Sequence, residues 1–208
     1  LPQLDQDLLK PIHRRTLRTT GYPESILAEK IHEAVKEKNN CKIGYYPSVY
    51  GVDIRISSTS EIQLEKLYIG IRNILRDIIF SLNTDSIEKL IVDTLLMKNK
   101  SIAFAESCTG GLIGDRITNI SGSSKVFYGG FVTYSNQSKS NHLDISSNLI
   151  QDFGAVSKIV AKQMSERVRE KFNTSYGLAV TGIAGPDGGS VDKPVGTVFI
   201  SISDKSRT

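Results

Sequence analysis

The chain has 208 residues, of which 39% are hydrophobic and 23% are charged, an ordinary composition for a globular protein. No apolar run approaches the roughly 20 residues that a membrane-spanning helix needs, which argues against a membrane protein. The net charge of +4 is spread evenly, with 15 basic against 13 acidic residues in 1–100 and 11 against 9 in 101–208. Because neither half is a basic domain, charge alone does not predict nucleic-acid binding.

The cysteines argue against a metal site and against a disulfide framework. Cys41 and Cys108 lie far apart, with no CxxC pair and no histidine at ligand spacing. We therefore expect no metal, and we place the protein in a reducing compartment, the cytoplasm. The first residues, Leu1-Pro2-Gln3, lack the features of a signal peptide, and we interpret the chain as a segment of a longer protein.

Residues 1–22 show little periodicity, and we interpret them as a connector. Residues 23–84 predict a small α+β domain with the order helix, strand, strand, helix. The prediction follows from apolar residues at helical spacing and from alternation of apolar and polar residues. The predicted elements are a helix over Pro23–Lys38, strands over Lys42–Ser48 and Val52–Ile56, and a helix from Leu64 onward.

Residues 85–208 predict a second domain in which strands alternate with helices. The predicted helices cover Ser86–Met97, Thr109–Ile120 and Lys158–Phe172, and the predicted strands cover Ser101–Ala105, Val126–Tyr134, Leu178–Val180 and Val195–Ile202. This alternation is typical of a layered α/β/α fold. The pattern stops directly after a strand, so we expect this domain to be truncated at its C-terminus.

The turn between the predicted strand at 101–105 and the following helix is a candidate catalytic site. Ser107 lies at the bend, beside the backbone N–H groups that open the helix. Such groups are unpaired and carry the positive end of the helix dipole, so they are ready donors for an oxyanion. Serine is also a preferred N-cap residue, and the turn alone does not distinguish a nucleophile from a cap.

A serine nucleophile needs a base, and the sequence offers few. His13 lies in the connector and His32 on a helix of the first domain, while His142 is nearer in sequence and stays open as a candidate. The other route is a desolvated lysine that accepts the serine proton. Lys139 follows the predicted strand end at Tyr134, and both side chains can turn toward one site if a helix begins near residue 136.

The glycine-rich stretch Thr181–Gly189 lies between two predicted strands. Successive glycines can form a backbone nest for an anion such as phosphate. The stretch is not a P-loop, because no Gly-Lys-Ser/Thr follows, and not a dinucleotide fingerprint, because no helix follows. A long turn without a binding role is the alternative.

These segments, in this order, resemble the C-terminal domain of the CinA family, whose members are nicotinamide mononucleotide amidohydrolases. The matching strings cover nearly all of residues 86–208 and include AESCTGG at 105–111, GGFVTYSNQSK at 129–139, GAVS at 154–157 and KPVGTV at 193–198. The earlier strings RTLRTTG at 15–21 and GVDIRI at 51–56 resemble the middle, KH-type domain of full-length CinA proteins.

The resemblance implies a role for each matching position. Ser107 would attack the carboxamide carbon, with Lys139 and Tyr134 as base and proton relay. The oxyanion would be held by backbone amides of Cys108, Thr109, Gly110 and Gly111. The nucleotide pocket would be lined by Thr181, Gly182, Gly185, Gly188 and Gly189. The implied products are ammonia and nicotinic acid mononucleotide, formed without metal or cofactor, and the implied role is pyridine-nucleotide recycling.

The chain also departs from the full-length family pattern. Nothing in these residues matches the N-terminal molybdopterin-binding-like domain, which carries a pyrophosphatase activity, so we claim no such activity for this chain. The family continues beyond the position of Thr208 with a helix whose basic residues help complete the pocket. The KH-like segment has no GxxG loop of the kind that clamps nucleic acid. We interpret it as a spacer or dimerisation module of a homodimer and do not expect it to bind nucleic acid.

Three alternatives remain open at this point. Within the hydrolase class, Cys108 could be the nucleophile, because a helix N-terminus is expected to lower the pKa of a thiol. A second class is a nucleotide-binding or regulatory module without turnover. A third is a nucleic-acid protein that acts through the KH-like segment, for which salt-dependent affinity would be the criterion.

Overall fold

The computed structural model describes residues 11–36, 40–82 and 85–208. The chain divides into two compact units between Ile87 and Glu88, close to the predicted boundary at residues 84 and 85. Each unit contains a four-stranded sheet. Among the described helices, none combines the length and hydropathy that crossing a bilayer requires.

The first unit is a sheet with two helices. Its elements are β1 (His13–Thr19), α1 (Glu24–Lys36), β2 (Lys42–Ser48), β3 (Gly51–Ser58), α2 (Glu61–Leu75) and β4 (Ile79–Ser81). The predicted order of helix, strand, strand, helix is confirmed by α1, β2, β3 and α2. The strands lie in the order β2-β3-β1-β4, and all neighbours are antiparallel.

The interpretation of residues 1–22 as a connector is wrong for His13–Thr19. This segment is strand β1, which pairs with β3 along its whole length and with β4 on its other side. Only Leu17 and Thr19 are fully buried, and arginines occupy three of the remaining positions. The apolar alternation of the strand is therefore too weak to recognise in the sequence. Residues 1–10 of the predicted connector lie outside the described part of the chain.

The second unit, which helix α3 opens, alternates strands and helices as predicted. Its elements are α3 (Ile87–Met97), β5 (Ile102–Glu106), α4 (Leu112–Thr118), β6 (Phe127–Val132), α5 (Asn136–Leu143), α6 (Ser147–Phe153), α7 (Lys158–Phe172), β7 (Tyr176–Gly182) and β8 (Val198–Ser203). Helix α6 was not among the predicted elements. Helix α4 begins later than predicted because Gly110 and Gly111 both have left-handed backbone conformations.

Strand β5 lies in the middle of the second sheet and is covered on both faces. The strand order is β6-β5-β7-β8, with β6 and β7 parallel to β5 and β8 antiparallel at the edge. On one face Ala103 and Ala105 join a core with residues of α5, α6 and α7. On the other face Ile102 and Phe104 join a core with residues of α3 and α4. The predicted α/β/α layering is confirmed, and the carboxyl ends of β5, β6 and β7 meet at one edge.

Two glycines allow neighbouring elements of this unit to approach closely. A Cβ at Gly130 of β6 would lie 2.4 Å from the carbonyl oxygen of Phe104 in β5. A Cβ at Gly177 of β7 would lie 2.1 Å from the carbonyl oxygen of Ser165 in α7. Neither distance is compatible with a side chain, which explains why glycine occurs inside these strands.

Candidate active site

Ser107 follows the last residue of the central strand, where three parallel strands end together. Its N–H donates to the carbonyl of Val180 in β7 at 3.0 Å, and the N–H of Thr133, just after β6, donates to the carbonyl of Glu106 at 2.7 Å. Ser107 is only 6% exposed. Crevices at the carboxyl ends of parallel strands, where the chain leaves in opposite directions, are where open α/β sheets bind ligands.

Lys139 reaches this point from helix α5. Ser135 caps the helix, accepting a hydrogen bond from the N–H of Ser138 at 3.0 Å, so α5 begins directly after the end of β6. The side chain of Lys139 is 1% exposed, and its Nζ lies 3.0 Å from Ser107 Oγ. The structure therefore brings together the two residues predicted to act as nucleophile and base.

The surroundings of Lys139 favour the neutral amine. Burial lowers the pKa of Lys139 below the ordinary value of 10.5, and the nearby Cys108 opposes this shift. Within residues 85–208 no carboxylate forms an ion pair with Lys139. The oxygens around Nζ are Ser107 Oγ and the backbone carbonyls of Thr133 at 2.7 Å and Tyr134 at 3.4 Å.

The predicted participation of the Tyr134 side chain is not supported by the geometry. Its ring is 72% exposed, and its hydroxyl has no hydrogen-bond partner in the described part of the chain. Only its backbone carbonyl contacts Lys139. Thr133, the first residue after β6, turns inward and is fully buried. The side chain of Tyr134, the next residue, therefore points outward.

His142, the alternative base, lies on the exposed side of α5. Its ring stacks on Phe131, with the ring centroids 5.7 Å apart. No hydrogen bond joins it to Ser107 among the described residues. The geometry therefore favours Lys139 over the histidine as the partner of the serine.

Glu106 fixes the turn that carries Ser107, a role that the sequence interpretation missed. The carboxylate is buried, with 3% exposure, and accepts three backbone hydrogen bonds from the start of α4. The donors are Gly111 and Ile113, both at 3.1 Å, and Gly114 at 2.8 Å. A carboxylate that ends an apolar strand just before a Ser-Cys-Thr-Gly-Gly turn was the recognisable feature in the sequence.

This cap changes the set of amides available to an oxyanion. The Gly111 N–H donates to Glu106, and the Gly110 N–H donates to the carbonyl of Ser107 at 3.0 Å. The N–H groups of Gly110 and Gly111, both predicted as oxyanion donors, are therefore already paired within the turn. Within residues 85–208 the N–H groups of Cys108 and Thr109 donate to no backbone carbonyl or carboxylate and face only the Cys108 sulfur, which leaves these two of the four predicted donors.

We predict that Glu106→Gln destabilises the protein, because an amide has one acceptor oxygen where the carboxylate has two. The substitution places an NH₂ group against backbone donors that are already buried. We expect a loss on the order of 1.5–3 kcal/mol in the free energy of unfolding, the range for hydrogen bonds to charged groups. Urea unfolding measures this loss, with Asp115→Asn, an exposed acid on α4, as the matched control. Equal unfolding midpoints for the two variants would contradict the capping role.

The environment of Cys108 does not produce a reactive thiolate. Burial raises the pKa of its thiol above the ordinary value, and the backbone amides of Cys108 and Thr109 and the charge of Lys139 only partly offset this. The amides at the start of the helix do lower the pKa of the Cys108 thiol, but burial outweighs them, so the net shift is upward. The thiol packs against the end of β7, where a Cβ at Gly182 would lie 3.0 Å from its Sγ.

The predicted nucleotide-binding stretch is partly at this site. Thr181 and Gly182 end β7 beside the serine turn, and the buried Thr181 hydroxyl donates to the carbonyl of Ala155 at 3.0 Å. The other predicted residues lie in the loop between β7 and β8, and no hydrogen bond within residues 85–208 joins them to Ser107 or Lys139; they are Gly185, Gly188 and Gly189.

A lysine anchors the loop between β7 and β8. Lys193 Nζ donates to the carbonyl of Phe153 at 2.8 Å, at the end of α6. Carbonyl groups at a helix C-terminus favour cations. The contact places the segment 193–198 next to residues 154–157, and the Thr181 bond to Ala155 connects the end of β7 to the same segment. For metal binding, the described residues contain no cluster of three or more His, Cys, Asp or Glu side chains.

These features define an α/β protein that holds a buried serine–lysine pair where parallel strands end. Residues 84–208 match the family model described as the CinA C-terminal domain, and residues 14–81 match that of the damage-inducible protein CinA KH domain. The chain belongs to the CinA family.

Curated relatives match almost the whole chain. A CinA-like protein of Gemmatimonas aurantiaca is 39% identical, over 92% of this chain and 46% of its own length. A putative competence-damage inducible protein of Caldicellulosiruptor saccharolyticus is 34% identical, over 99% of this chain and 52% of its own length. The chain thus spans about half the length of the curated relatives it matches.

Solved structures resemble part of the chain. The competence/damage inducible protein CihA from Agrobacterium tumefaciens is 40% identical with a TM-score of 0.57, over 58% of this chain and 73% of its own. A competence-damaged protein (CinA) superfamily protein from Escherichia coli is 30% identical with a TM-score of 0.56, over 58% of this chain and 70% of its own.

Proposed function

We propose that this protein hydrolyses the carboxamide of nicotinamide mononucleotide to nicotinic acid mononucleotide and ammonia. The observation that carries the proposal is the 3.0 Å contact between Lys139 Nζ and Ser107 Oγ inside a buried site. A serine is a weak nucleophile by itself and needs a base within hydrogen-bond reach. The choice of substrate rests on the sequence resemblance to the family's C-terminal domain.

The three oxygens around Lys139 Nζ suit a base that exchanges one proton with Ser107. A neutral amine has two N–H donors and one lone pair. The carbonyls of Thr133 and Tyr134 accept both donors, which leaves the lone pair to the Ser107 hydroxyl. After proton transfer, the ammonium has three donors for the same three oxygens. The proton can therefore move without any rearrangement of the site.

The proposed reaction has two halves. Ser107 Oγ bonds to the carboxamide carbon while its proton passes to Lys139, and the amides of Cys108 and Thr109 stabilise the oxyanion. The tetrahedral intermediate then expels ammonia, which takes the proton from Lys139, and leaves an ester on Ser107. Water attacks this ester with Lys139 again as base, and the acid product and the free serine result.

One further atom of the turn is suited to contact a substrate. Thr109 Oγ1 is buried and has no hydrogen-bond partner in the described part of the chain. An unpaired buried polar atom costs about 1–3 kcal/mol, so a polar ligand group that pairs with it binds more favourably. This position is directly beside the two amides proposed for the oxyanion.

The test is to incubate the full-length protein with nicotinamide mononucleotide and to measure ammonia and nicotinic acid mononucleotide together. We expect equal amounts of both products.

We also predict that Cys108→Ser retains turnover, because the raised pKa of the Cys108 thiol argues against a catalytic thiolate. Loss of turnover in a folded Cys108→Ser variant would contradict the assignment of Ser107 as nucleophile. Binding of the nucleotide in calorimetry with no product formed would support the non-catalytic alternative.

A further inference from the structure

A cavity lies at the amino ends of β5 and β7, at the opposite edge of the second sheet from Ser107. Its volume is about 300 Å³, at the lower end of the range for small-molecule sites. Strand β5 separates it from the serine by on the order of 20 Å, at about 3.3 Å per residue. The cavity is therefore distinct from the proposed active site. We call it the amino-edge cavity, and its lining residues are Lys100, Ser175, Tyr176, Asp204, Lys205 and Ser206.

Two lysines line this cavity without a protein partner. Lys100 follows α3 and Lys205 follows β8, so residues distant in sequence meet here through the fold. In the part of the chain that the structure describes, neither ammonium group forms an ion pair or a hydrogen bond. Three of the last carbonyls of α3, which would otherwise attract a cation, already accept the backbone N–H groups of residues 98–100. Both ammonium groups are therefore available to an anion.

The carboxylate in the lining, Asp204, is already occupied by donors from its own turn. Its Oδ1 accepts from the N–H and the hydroxyl of Ser206 at 2.7 and 2.8 Å, and Arg207 donates to both carboxylate oxygens. These hydrogen bonds from Ser206 and Arg207 lower the pKa of Asp204 to about 2. The Arg207 guanidinium offsets the charge of the carboxylate. The positive charges of Lys100 and Lys205 therefore stay unbalanced.

Hydroxyl groups add further donors beside the lysines. The Ser175 Oγ accepts a hydrogen bond from the Ser101 N–H at 3.2 Å, which leaves its own hydrogen free to donate. The Ser101 Oγ in turn accepts the Ser175 N–H at 3.1 Å, so Ser175 is held in place from both sides. The Tyr176 ring packs against the core between the sheet and helices α3 and α4, and its hydroxyl has no partner among the described residues.

We propose that the amino-edge cavity binds a phosphate group, either free or as the ester of a small molecule. A phosphate carries nearly two negative charges at neutral pH, and a phosphate ester presents three strong acceptor oxygens. Two ammonium groups and the hydroxyls of Ser175 and Tyr176 match this charge and these oxygens. A carboxylate carries one charge and two oxygens, so it would leave one lysine unpaired. Binding of phosphate here does not require the reaction at Ser107.

The first test is acetylation of lysines in the full-length protein with acetic anhydride, read residue by residue by mass spectrometry. The probes are inorganic phosphate, glycerol 3-phosphate and, as an uncharged control, glycerol. Each phosphate probe should slow the acetylation of Lys100 and Lys205 by about threefold or more at saturation. Lys98 and Lys125, exposed lysines outside the lining, should react at an unchanged rate. Protection at lower concentrations of glycerol 3-phosphate would identify an ester as the ligand, and the reverse order would identify the free ion.

The second test is calorimetry of both phosphate probes with substituted full-length proteins. Lys100→Gln/Lys205→Gln should bind them about tenfold or more weakly, because it removes two charge-assisted hydrogen bonds. Lys98→Gln/Lys125→Gln is the matched control and should bind like the unsubstituted protein, and circular dichroism should show that both variants are folded.

Three results would overturn the proposal. They are equal protection of all four lysines, equal weakening by the two double variants, and phosphate binding in the calorimeter without protection of Lys100 and Lys205. The last result would place the phosphate elsewhere in the full-length protein. Neither test depends on turnover, so a failure of the proposed hydrolase activity would leave both results interpretable.

Discussion

Ser107→Ala is expected to reduce ammonia release from nicotinamide mononucleotide by on the order of 10³-fold or more, as removal of a catalytic serine does in other hydrolases. The substituted side chain cannot form the ester, and Lys139 loses the hydroxyl that lies 3.0 Å from its Nζ. The amides of Cys108 and Thr109 remain, so the variant should still bind the nucleotide. Steady-state kinetics and calorimetry on the same preparation separate the two effects.

Ser101→Ala is the matched control for this substitution. Ser101 precedes β5 at its amino end, whereas Ser107 follows its carboxyl end, so the two serines lie at opposite edges of the same sheet. We expect the control to retain turnover. Near-normal ammonia release by Ser107→Ala would remove the serine from the reaction. Loss of nucleotide binding together with turnover would indicate that Ser107 positions the ligand instead of attacking it.

The layered fold and the approach of Lys139 to Ser107 were predictable for an identifiable reason. Strand β5 is buried on both faces and reads as a short apolar run, and the Gly-Gly pair after the serine predicts a turn. Two strands parallel to β5 must end at the same edge, so residues that follow them meet there. Sequence resemblance supplied the choice of the lysine, because an isolated lysine after a strand is usually exposed.

The structural features that the sequence did not predict depend on details of local geometry. Which of two consecutive residues faces inward depends on where β6 ends, and the structure turns Thr133 inward and Tyr134 outward. Which amides are free to act as the proposed oxyanion donors depends on which ones already donate to the Glu106 carboxylate. The N–H of Gly111 is one of these. Strand β1 shows how a sheet can recruit a segment with only two fully buried side chains, through backbone pairing on both sides.

Lys139→Met is expected to reduce kcat/KM for the same reaction by about 10²- to 10⁴-fold, the usual contribution of a general base. Methionine fills a similar volume without an amine, so Ser107 keeps its position and loses its proton acceptor. Lys158→Met, which removes an exposed lysine at the start of α7, is the matched control and should leave kcat/KM unchanged. Similar losses in both variants would show that the effect is not specific to the buried amine.

The pH dependence gives a second and independent test of Lys139. Only the neutral amine can accept the serine proton, so kcat/KM should rise with pH as Lys139 deprotonates. Because burial lowers its pKa, the midpoint of this rise should lie below 10.5, the ordinary value for lysine. The Lys139→Met variant should lack the rise, and the Lys158→Met control should keep it. A rise that persists in Lys139→Met would assign the titration to another group.

The same pKa shift predicts the direction of a stability change. The folded pKa of Lys139 lies below its unfolded value, so between the two the unfolded chain binds more protons than the folded one. The buried amine of Lys139 therefore lowers the free energy of unfolding most at pH values below its folded pKa. This destabilisation diminishes as pH rises toward 10.5. Lys139→Met should remove this part of the pH dependence from urea unfolding, whereas Lys158→Met should not. An unchanged pH dependence in Lys139→Met would mean that burial does not shift the pKa of Lys139, so the amine would stay charged below 10.5, and a charged amine cannot act as the base.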